Sequence, residues 1–274
     1  MIIGVKNCEE YKENYAVEVE YIDLFSTKIY PDGKGGQLGD RGEINGIKIV
    51  EVKKDKIIIE KPLEDGEYEY TIDMERRKDI AVQHSIEHVF SGIMYKDYNI
   101  HNVGFRMSEE SSTIDFDYYD FTKEMIEEIE KKINDAILKG APILTRTVLR
   151  EEIDTVTGLR KKISPKITDE YIRLIKIEGY DLCACSGFHV ENIKDVRLFK
   201  ILSSKRIKGK YTRFTFIAGE RAIKDYNNKA EIIKTLNQKF SCRDYELIDR
   251  IEKDRKKYVE LRREYNRLCS ELQK

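Results

Sequence analysis

The sequence predicts an α+β protein, in which a small β-barrel is followed by a mixed α+β domain and a helical arm. From Tyr15 to about Asp73 apolar and polar residues alternate, a period typical of strands. The apolar spacing then changes to three and four, which is typical of helices, and from Ala222 onward the pattern is helical throughout. We therefore expect domains at residues 1–75, 76–222 and 223–274.

The first domain is predicted to be all-β because its alternating runs are separated by Asp-Gly and Asn-Gly turns. A barrel or a sandwich fits this pattern, and we predict a small barrel. One segment interrupts it, with five glycines among residues 33–42. This loop contains Gly35, Gly36 and Gln37, and its backbone can approach another chain or a ligand closely.

In the second domain a helix is predicted to begin after Asp79, which suits a helix N-cap. Its core stripe would include Val82, Ile86 and Phe90. A second helix is expected over residues 122–138, with Gly140 as its stop. The strands predicted around these helices cover residues 103–107, 112–117, 143–149, 171–177, 197–201 and 211–217.

The third domain has apolar residues spaced by three and four with dense surface charge, and a break at residues 241–244. This pattern predicts a helical hairpin or a coiled-coil arm. Two alternatives remain open: the arm associates with a partner or with a second copy as a homodimer, or it is a packed terminal appendage.

Composition excludes some classes of protein. Lys plus Arg number 50 and Asp plus Glu number 51, so the overall charge predicts neither a nucleic-acid binder nor a basic partner. A signal peptide and a run of about 20 apolar residues are both missing from the sequence, which predicts a cytoplasmic protein without membrane contact. The five cysteines are an odd number, so we expect free thiols that could bind a metal.

Two close pairs of potential ligands predict a metal site. His84 and His88 lie one helical turn apart and project from one face, and Cys185 and His189 form a second pair. Three of the four histidines in the chain lie in these pairs. An N/S ligand set favours zinc. The spacing leaves open whether all four side chains bind at once, and whether Cys183 supports the site or is simply a small buried residue.

An alternative is suggested by residues 84–88, which match the H-x-x-E-H string of inverted zinc peptidases with Glu87 as general base. Glu87 directly precedes His88, so its side chain projects about 100° away from that of His88 around the helix. We therefore expect Glu87 on a solvated face, and the peptidase is the weaker hypothesis.

Several motifs together resemble a known family. Their order along the chain is YPDGKGGQLGDRG at 30–42, QHSIEH at 83–88, IDFD at 114–117, CACSGFHV at 183–190 and FIAGERA at 216–222. Over about residues 15–222 the chain resembles the free-standing AlaX-type relatives of the alanyl-tRNA synthetase editing domain. The helical tail is similar to the linker that follows this domain in the synthetase.

The resemblance implies an ATP-independent hydrolase that removes serine, and in some cases glycine, from alanine-accepting tRNA in trans. It implies that His84, His88, Cys185 and His189 form the zinc motif and that the glycine-rich loop lies near the editing pocket. The family commonly has H-T-A-x-H and C-G-G-T-H, whereas this chain has Ser85-Ile86 and Ser186-Gly187-Phe188. Phe188 beside the metal is expected to narrow or dry the site, which leaves open the identity of the amino acid and of the tRNA.

A mechanism follows from this chemistry. A zinc-activated water with a pKa of about 7 can attack an aminoacyl ester at neutral pH. His189 would be either the fourth ligand or an acid/base partner, and backbone N–H groups near Gly187 would stabilise the oxyanion. Ser85 is a candidate for hydrogen bonding a serine substrate, because buried polar pairing discriminates more strongly than one methylene.

For tRNA binding, the densest basic stretch lies between residues 199 and 214. Its aromatic residues could stack on unpaired bases or belong to the core. Arg160-Lys161-Lys162 and Arg76-Arg77-Lys78 are additional candidates, with a solvated surface as the default. A non-catalytic RNA-binding or assembly module with a structural zinc is the alternative function. The proposed RNA-binding residues are Lys205, Arg206, Lys208, Lys210 and Arg213.

Overall fold

Six N-terminal strands close into a barrel in the computed structural model, which describes residues 1–22, 27–163 and 167–272. The strands are β1 (Ile2–Tyr11), β2 (Asn14–Tyr21), β3 (Gly42–Ile44), β4 (Ile47–Val52), β5 (Ile57–Ile59) and β6 (Gly66–Ile72). They neighbour one another in the order β1-β2-β5-β4-β3-β6, and all their pairs are antiparallel. The predicted barrel and the predicted α+β class are confirmed.

Apolar side chains from these strands fill the barrel interior. Ile3, Val17 and Ile59 are fully buried in one cluster. Asn45 and Gly46 connect β3 to β4 with φ values of 52° and 73°. Two successive positive φ values are those of a tight hairpin turn whose twist matches the strands, which is why Asn-Gly stands there.

Helix α1 (Met74–Tyr98) follows the barrel and begins earlier than predicted. Asp73, not Asp79, is its N-cap, and the Asp73 side chain accepts a hydrogen bond from the Arg76 N–H at 2.9 Å. Asp79 instead pairs with the Arg221 guanidinium at 2.6 Å. The polar first turn hid this start, because apolar periodicity begins only at Ile80.

The central region contains two antiparallel sheets and a second helix. The four-stranded sheet has the order β12-β13-β8-β7, and the three-stranded sheet has the order β11-β10-β9. Helix α1 contacts β7, β11, β13 and α2. The bounds are β7 (Asn102–Met107), β8 (Ser112–Phe116), α2 (Lys123–Lys139), β9 (Ile143–Leu149), β10 (Tyr171–Ile177), β11 (Asp181–Ala184), β12 (Phe199–Ile207) and β13 (Tyr211–Ala218).

Aromatic rings form the centre of this region. The Phe90 ring of α1 lies 5.0 Å from Phe116 and 5.5 Å from both Phe199 and Phe214, centroid to centroid. All four side chains are fully buried. Base stacking by Phe199 and Phe214, one of the two alternatives for the basic stretch, is therefore wrong: alternation along β12 and β13 turns these rings into the core.

Contacts divide the chain into two units, Met1–Ala222 and Ile223–Lys274. Two long helices, α3 (Glu220–Phe240) and α4 (Leu247–Leu272), account for the second unit. The break predicted at 241–244 leads into a short 3-10 turn at Asp244–Glu246. The division into three domains and the pairing of the helices as a hairpin or coiled coil stay predictions. None of the described helices is long and apolar enough to cross a bilayer.

Candidate functional site

Helix α1 supplies the first two residues of the site. His84 and His88 are each 2% exposed, and their ring centroids are 5.2 Å apart. The helix packs against both sheets, so its whole middle section is buried. Its repeat places the two imidazoles on one face, as the four-residue spacing predicts.

The loop after β11 supplies the other two residues. Cys185 Sγ lies 3.4 Å from His84 Nε2 and 3.4 Å from His189 Nε2. The four candidate ligand atoms of His84, His88, Cys185 and His189 all lie within 4.8 Å of one another. The structure therefore brings together two sequence pairs that stand about a hundred residues apart.

Each histidine is held through its other ring nitrogen. The Nδ1 atom of His84 lies 2.7 Å from Gln37 Oε1, that of His88 lies 2.9 Å from Asp181 Oδ2, and that of His189 lies 3.3 Å from Ser85 Oγ. Partners of this kind fix ring orientation and tautomer in metal sites. With Nδ1 engaged, the Nε2 atoms are left for a common ion.

Gln37 explains why the barrel carries a glycine-rich loop. Its side chain is 1% exposed, and its Oε1 also accepts a hydrogen bond from the Phe188 N–H at 3.1 Å. Gly36 has a φ of 79°, and a Cβ there would lie 2.5 Å from Phe105 O. Only glycine lets the loop pass this closely, while Gly35 opens into the cleft described below. A substrate-binding role for these three residues stays a prediction.

Gly187 must also be glycine, since a Cβ there would lie 2.1 Å from His84 Cε1. Its N–H donates to Cys185 Sγ at 3.3 Å, so an oxyanion would compete with the sulfur for this donor. Ser85 is engaged as well: its Oγ accepts a hydrogen bond from the Val190 N–H at 3.1 Å. The predicted contacts of Gly187 and Ser85 with substrate are not tested by these bonds.

The charge states of two of the four side chains suit a metal, and that of a third opposes it. Burial alone would raise the pKa of the Cys185 thiol, but hydrogen bonds from His189, His84 and His88 lower that pKa to about 2. Burial lowers the pKa of His189 to about 3, against the opposing effect of Cys185. Metal ligands must be a thiolate and neutral imidazoles, and these two shifts favour both. Burial would lower the pKa of His88, but Cys183, Asp181 and Cys185 raise that pKa, so the His88 imidazole would have to release a proton to bind an ion.

Asp181 lies behind His88. Burial would raise its pKa, but His88 and Arg160 lower that pKa to about 2. Arg160 Nε lies 2.7 Å from Asp181 Oδ1, and its side chain is 12% exposed. The expectation of a solvated Arg160 is therefore wrong. Cys183 is buried beside the same imidazole, 3.3 Å from His88 Nδ1, so it lies on the far side of His88 from Cys185.

Phe188 does not narrow the site, contrary to expectation. Its ring lies 4.8 Å from the Tyr30 ring and 4.5 Å from the Arg77 guanidinium. It is not among the residues that line the cleft beside the histidines. The backbone of Phe188 reaches the site through Gln37, while its side chain points to the barrel loop.

A cleft of about 790 Å³ opens beside these ligands. His84, His88, Cys183 and Cys185 line it together with Phe105. Among the described lining residues five are basic and two are acidic. These are Lys34, Arg160, Lys161, Lys162 and Arg173, with Glu87 and Asp169.

The position of Glu87 also differs from the one expected from the sequence. Its side chain is buried rather than solvated, and its Oε2 lies 3.7 Å from His88 Nε2. Its Oε1 accepts hydrogen bonds from Ser91 Oγ at 2.7 Å and Asn102 Nδ2 at 2.6 Å. The sequence offered one sign of this position, the place of Glu87 beside His88. Burial of Glu87 could not be read from the helix pattern, because Asn102, which contacts it, lies on strand β7.

The basic hairpin predicted to bind RNA lies outside the cleft. All five of its candidate residues are exposed. Arg213 pairs with Asp115 at 2.7 Å, and the Arg206 guanidinium lies 4.2 Å from the Tyr119 ring centroid. Lys205, Lys208 and Lys210 share this exposed surface, and their role in RNA binding stays a prediction.

Arg76 and Arg77 form ion pairs within the protein. Arg76 pairs with Glu109 at 2.6 Å, and Arg77 pairs with the buried carboxylate of Asp40. Both arginine side chains are mostly buried, at 15% and 12% exposure. The solvated surface expected for these two residues is therefore wrong, and their contacts fasten the start of α1 to its surroundings.

Comparison with known proteins extends the motif evidence. A family model described as the threonyl and alanyl tRNA synthetase second additional domain matches residues 172–215, which include Cys185 and His189. The alanine–tRNA ligase of Methanocella arvoryzae is 31% identical over 223 residues, 78% of this chain and 25% of the ligase. Alanyl-tRNA editing protein Aarsd1-B of Xenopus laevis is 31% identical over 256 residues, 91% of this chain and 61% of that protein.

Alanyl-tRNA editing protein Aarsd1 of Bos taurus is 28% identical over 235 residues, 84% of this chain and 52% of that protein. The chain thus spans about half the length of these editing proteins and a quarter of the ligase. Ligase and editing proteins share the stretch that contains the His/Cys cluster. These matches confirm the resemblance to the AlaX-type alanyl-tRNA editing proteins, which are relatives of the alanyl-tRNA synthetase editing domain.

Proposed function

We propose that this protein is a zinc-dependent hydrolase that deacylates mischarged tRNA in trans, with Ser-tRNA(Ala) as first substrate and Gly-tRNA(Ala) as second. The observation that carries the proposal is the convergence of three Nδ1-anchored histidines on Cys185 at a cleft with a basic lining. Relatives named for alanyl-tRNA editing support the choice of substrate class.

The donor set fits zinc. Thiolate and imidazole are zinc ligands, and the burial and Nδ1 partners of these side chains are those of an ordered site. His84, His88 and Cys185 would hold the ion, and His189 would be a fourth ligand or an acid/base partner. Bound zinc supplies Lewis acidity, which lowers the pKa of a water to about 7 and polarises an ester carbonyl.

The protein's own residues would position the ester. Gln37 and Asp181 keep two imidazoles in place, so no reorganisation is needed when the substrate arrives. Arg173 donates to the carbonyl oxygens of Cys185 and Gly187 at 3.0 and 2.8 Å, which fixes the ligand loop.

Basic residues at the cleft would guide the acceptor end of the tRNA. Lys34, Lys161 and Lys162 are exposed there and would follow phosphates. The Lys34 ammonium lies over the Tyr30 ring, 5.5 Å from its centroid. The β12–β13 hairpin, with Lys205, Arg206, Lys208, Lys210 and Arg213, would contact the tRNA body. We propose this division from exposure alone.

A deacylation assay tests the function. Zinc-loaded protein is incubated with seryl-, glycyl- and alanyl-tRNA(Ala), and the remaining ester is measured over time. We expect the seryl ester to be cleaved fastest and the alanyl ester slowest. His84→Ala should abolish cleavage, whereas His101→Ala, which changes an exposed histidine outside the cluster, should not.

A non-catalytic RNA-binding or assembly module is the second candidate, and the closed four-residue cluster favours it, because a zinc with four protein ligands is normally structural. Zinc bound at one ion per chain without cleavage of any ester would support this candidate and contradict the hydrolase. A peptidase is the third candidate. It requires that Glu87→Gln abolish cleavage of peptides, with aminoacyl esters left intact.

A further inference from the structure

Glu87 is a buried carboxylate that the four-residue cluster does not use. We propose that it receives the α-ammonium group of the aminoacyl substrate, so that the site selects esters of free amino acids over esters whose amine is acylated. The inference rests on the proposed hydrolase function and names the part of the substrate that Glu87 contacts.

The two carboxylate oxygens of Glu87 differ in their surroundings. Oε1 accepts from Ser91 Oγ and Asn102 Nδ2, while within the described part of the chain Oε2 accepts no hydrogen bond. Asn102 is itself fixed, since its Oδ1 accepts from the Gly104 N–H at 2.8 Å. One oxygen is thus anchored, and the other is presented next to His88 at the cleft.

Burial of a carboxylate with only one hydrogen-bonded oxygen costs free energy. A buried ionised group is stable only when paired or fully hydrogen-bonded. The charge of Arg160 acts on Glu87 through space, but this guanidinium is hydrogen-bonded to both oxygens of Asp181 at 2.7 and 3.2 Å. A primary ammonium offers three N–H donors and a positive charge, and would complete the bonding of Glu87.

Charge along the cleft matches an aminoacyl-tRNA end. The exposed side chains Lys34, Lys161 and Lys162 are basic, and the buried residue beside the ligands is acidic. In an aminoacyl ester the ammonium is borne on the carbon attached to the carbonyl, and the phosphates lie on the far side of the ribose. A carbonyl placed at the His/Cys cluster therefore puts the ammonium near Glu87 and the phosphates toward the lysines.

The test compares seryl-tRNA with N-acetyl-seryl-tRNA on zinc-loaded wild type and Glu87→Gln, with Glu127→Gln as a control on the exposed face of α2. Wild type should cleave the free-amine ester roughly 10- to 100-fold faster in kcat/KM, the range expected for one charged hydrogen bond. Glu87→Gln should lose this preference and leave the acetylated ester unchanged. Glu127→Gln should behave as wild type, and zinc content should be equal in all three.

Two outcomes would overturn the inference: a wild type that does not distinguish the esters, or a Glu87→Gln variant that loses activity on both equally, as a general base or a folding role would require. Binding supplies a second measurement. A non-hydrolysable 3′-amide analogue of seryl-adenosine should bind wild type more tightly with a free amine than with an acetylated one, and Glu87→Gln should bind both alike. Absence of all ester cleavage would refute the hydrolase, and this binding difference would still decide the role of Glu87.

Discussion

Replacing Gln37 by alanine removes one oxygen that holds two groups of the site. Oε1 lies 2.7 Å from His84 Nδ1 and accepts from the Phe188 N–H at 3.1 Å. A backbone N–H can only donate, so the atom facing it must be the amide oxygen of Gln37, and His84 Nδ1 must then carry a proton. The Nε2 atom of His84 is left with its lone pair free for a metal.

The expected loss of zinc affinity and stability in Gln37→Ala follows from the burial of Gln37. Gln37 is 1% exposed, so water cannot easily replace the lost acceptor. Each buried donor left without a partner costs about 1–3 kcal/mol, and loss of a partner behind a ligating histidine typically costs about 10- to 100-fold in metal affinity. We expect Gln37→Ala to bind zinc roughly 10- to 100-fold more weakly and to unfold at a lower temperature.

Gln37→Glu is the matched control. In the part of the chain that the structure describes, Gln37 Nε2 has no hydrogen-bond partner, so a carboxylate gives up no contact there. It keeps both acceptor contacts, and its charge favours the His84 tautomer that binds metal. Zinc affinity is measured by competition with a fluorescent chelator at neutral pH. Wild-type affinity in Gln37→Ala, or weaker binding by Gln37→Glu than by Gln37→Ala, would refute this account of the loop.

Three further outcomes are expected. The pKa of Cys185 is lowered to about 2, so this cysteine should be a thiolate throughout the range from about pH 5 to 8. The difference in thiolate absorbance between metal-free wild type and Cys185→Ala should therefore stay constant over that range. A rise in this difference near the ordinary cysteine pKa of about 8.5 would contradict the lowered pKa. Gly36→Ala should lower the unfolding temperature more than Gly35→Ala. The new Cβ at position 36 would lie 2.5 Å from a β7 carbonyl oxygen, whereas a Cβ at position 35 would have nothing within 4 Å. An equal decrease in the two variants would mean that only the strain of the left-handed backbone matters. If the helical arm forms a homodimer, Leu261→Lys should shift the sedimenting species toward monomer. Leu138→Lys on α2, which is 85% exposed against 69% for Leu261, should not.

Local signals predicted the elements and the ligand pairs well. The alternation of the barrel strands and the four-residue spacing of His84 and His88 depend only on neighbours in sequence, and both appear as expected in the structure. Gln37 and Asp181 could not be assigned to particular histidines, because those contacts join residues 47 and 93 positions apart. The predicted position of Phe188 beside the metal was wrong for the same reason. Its ring packs against Tyr30, a residue of the barrel loop that is distant in sequence.

The assembly of the site depends on a residue without a side chain, Gly92, as well as on the ligands. Gly92 lies one turn beyond His88, and a Cβ there would lie 2.2 Å from Tyr180 O. This absence of a side chain lets the turn before β11 press against α1, which brings Asp181 onto His88. The same approach carries β11 toward the helix and so sets where Cys185 stands. Gly92 lies on the same stripe of α1 as His84 and His88, so this stripe combines two ligands with a residue that has no side chain. The missing side chain determines how closely the partners of the two ligands approach the helix.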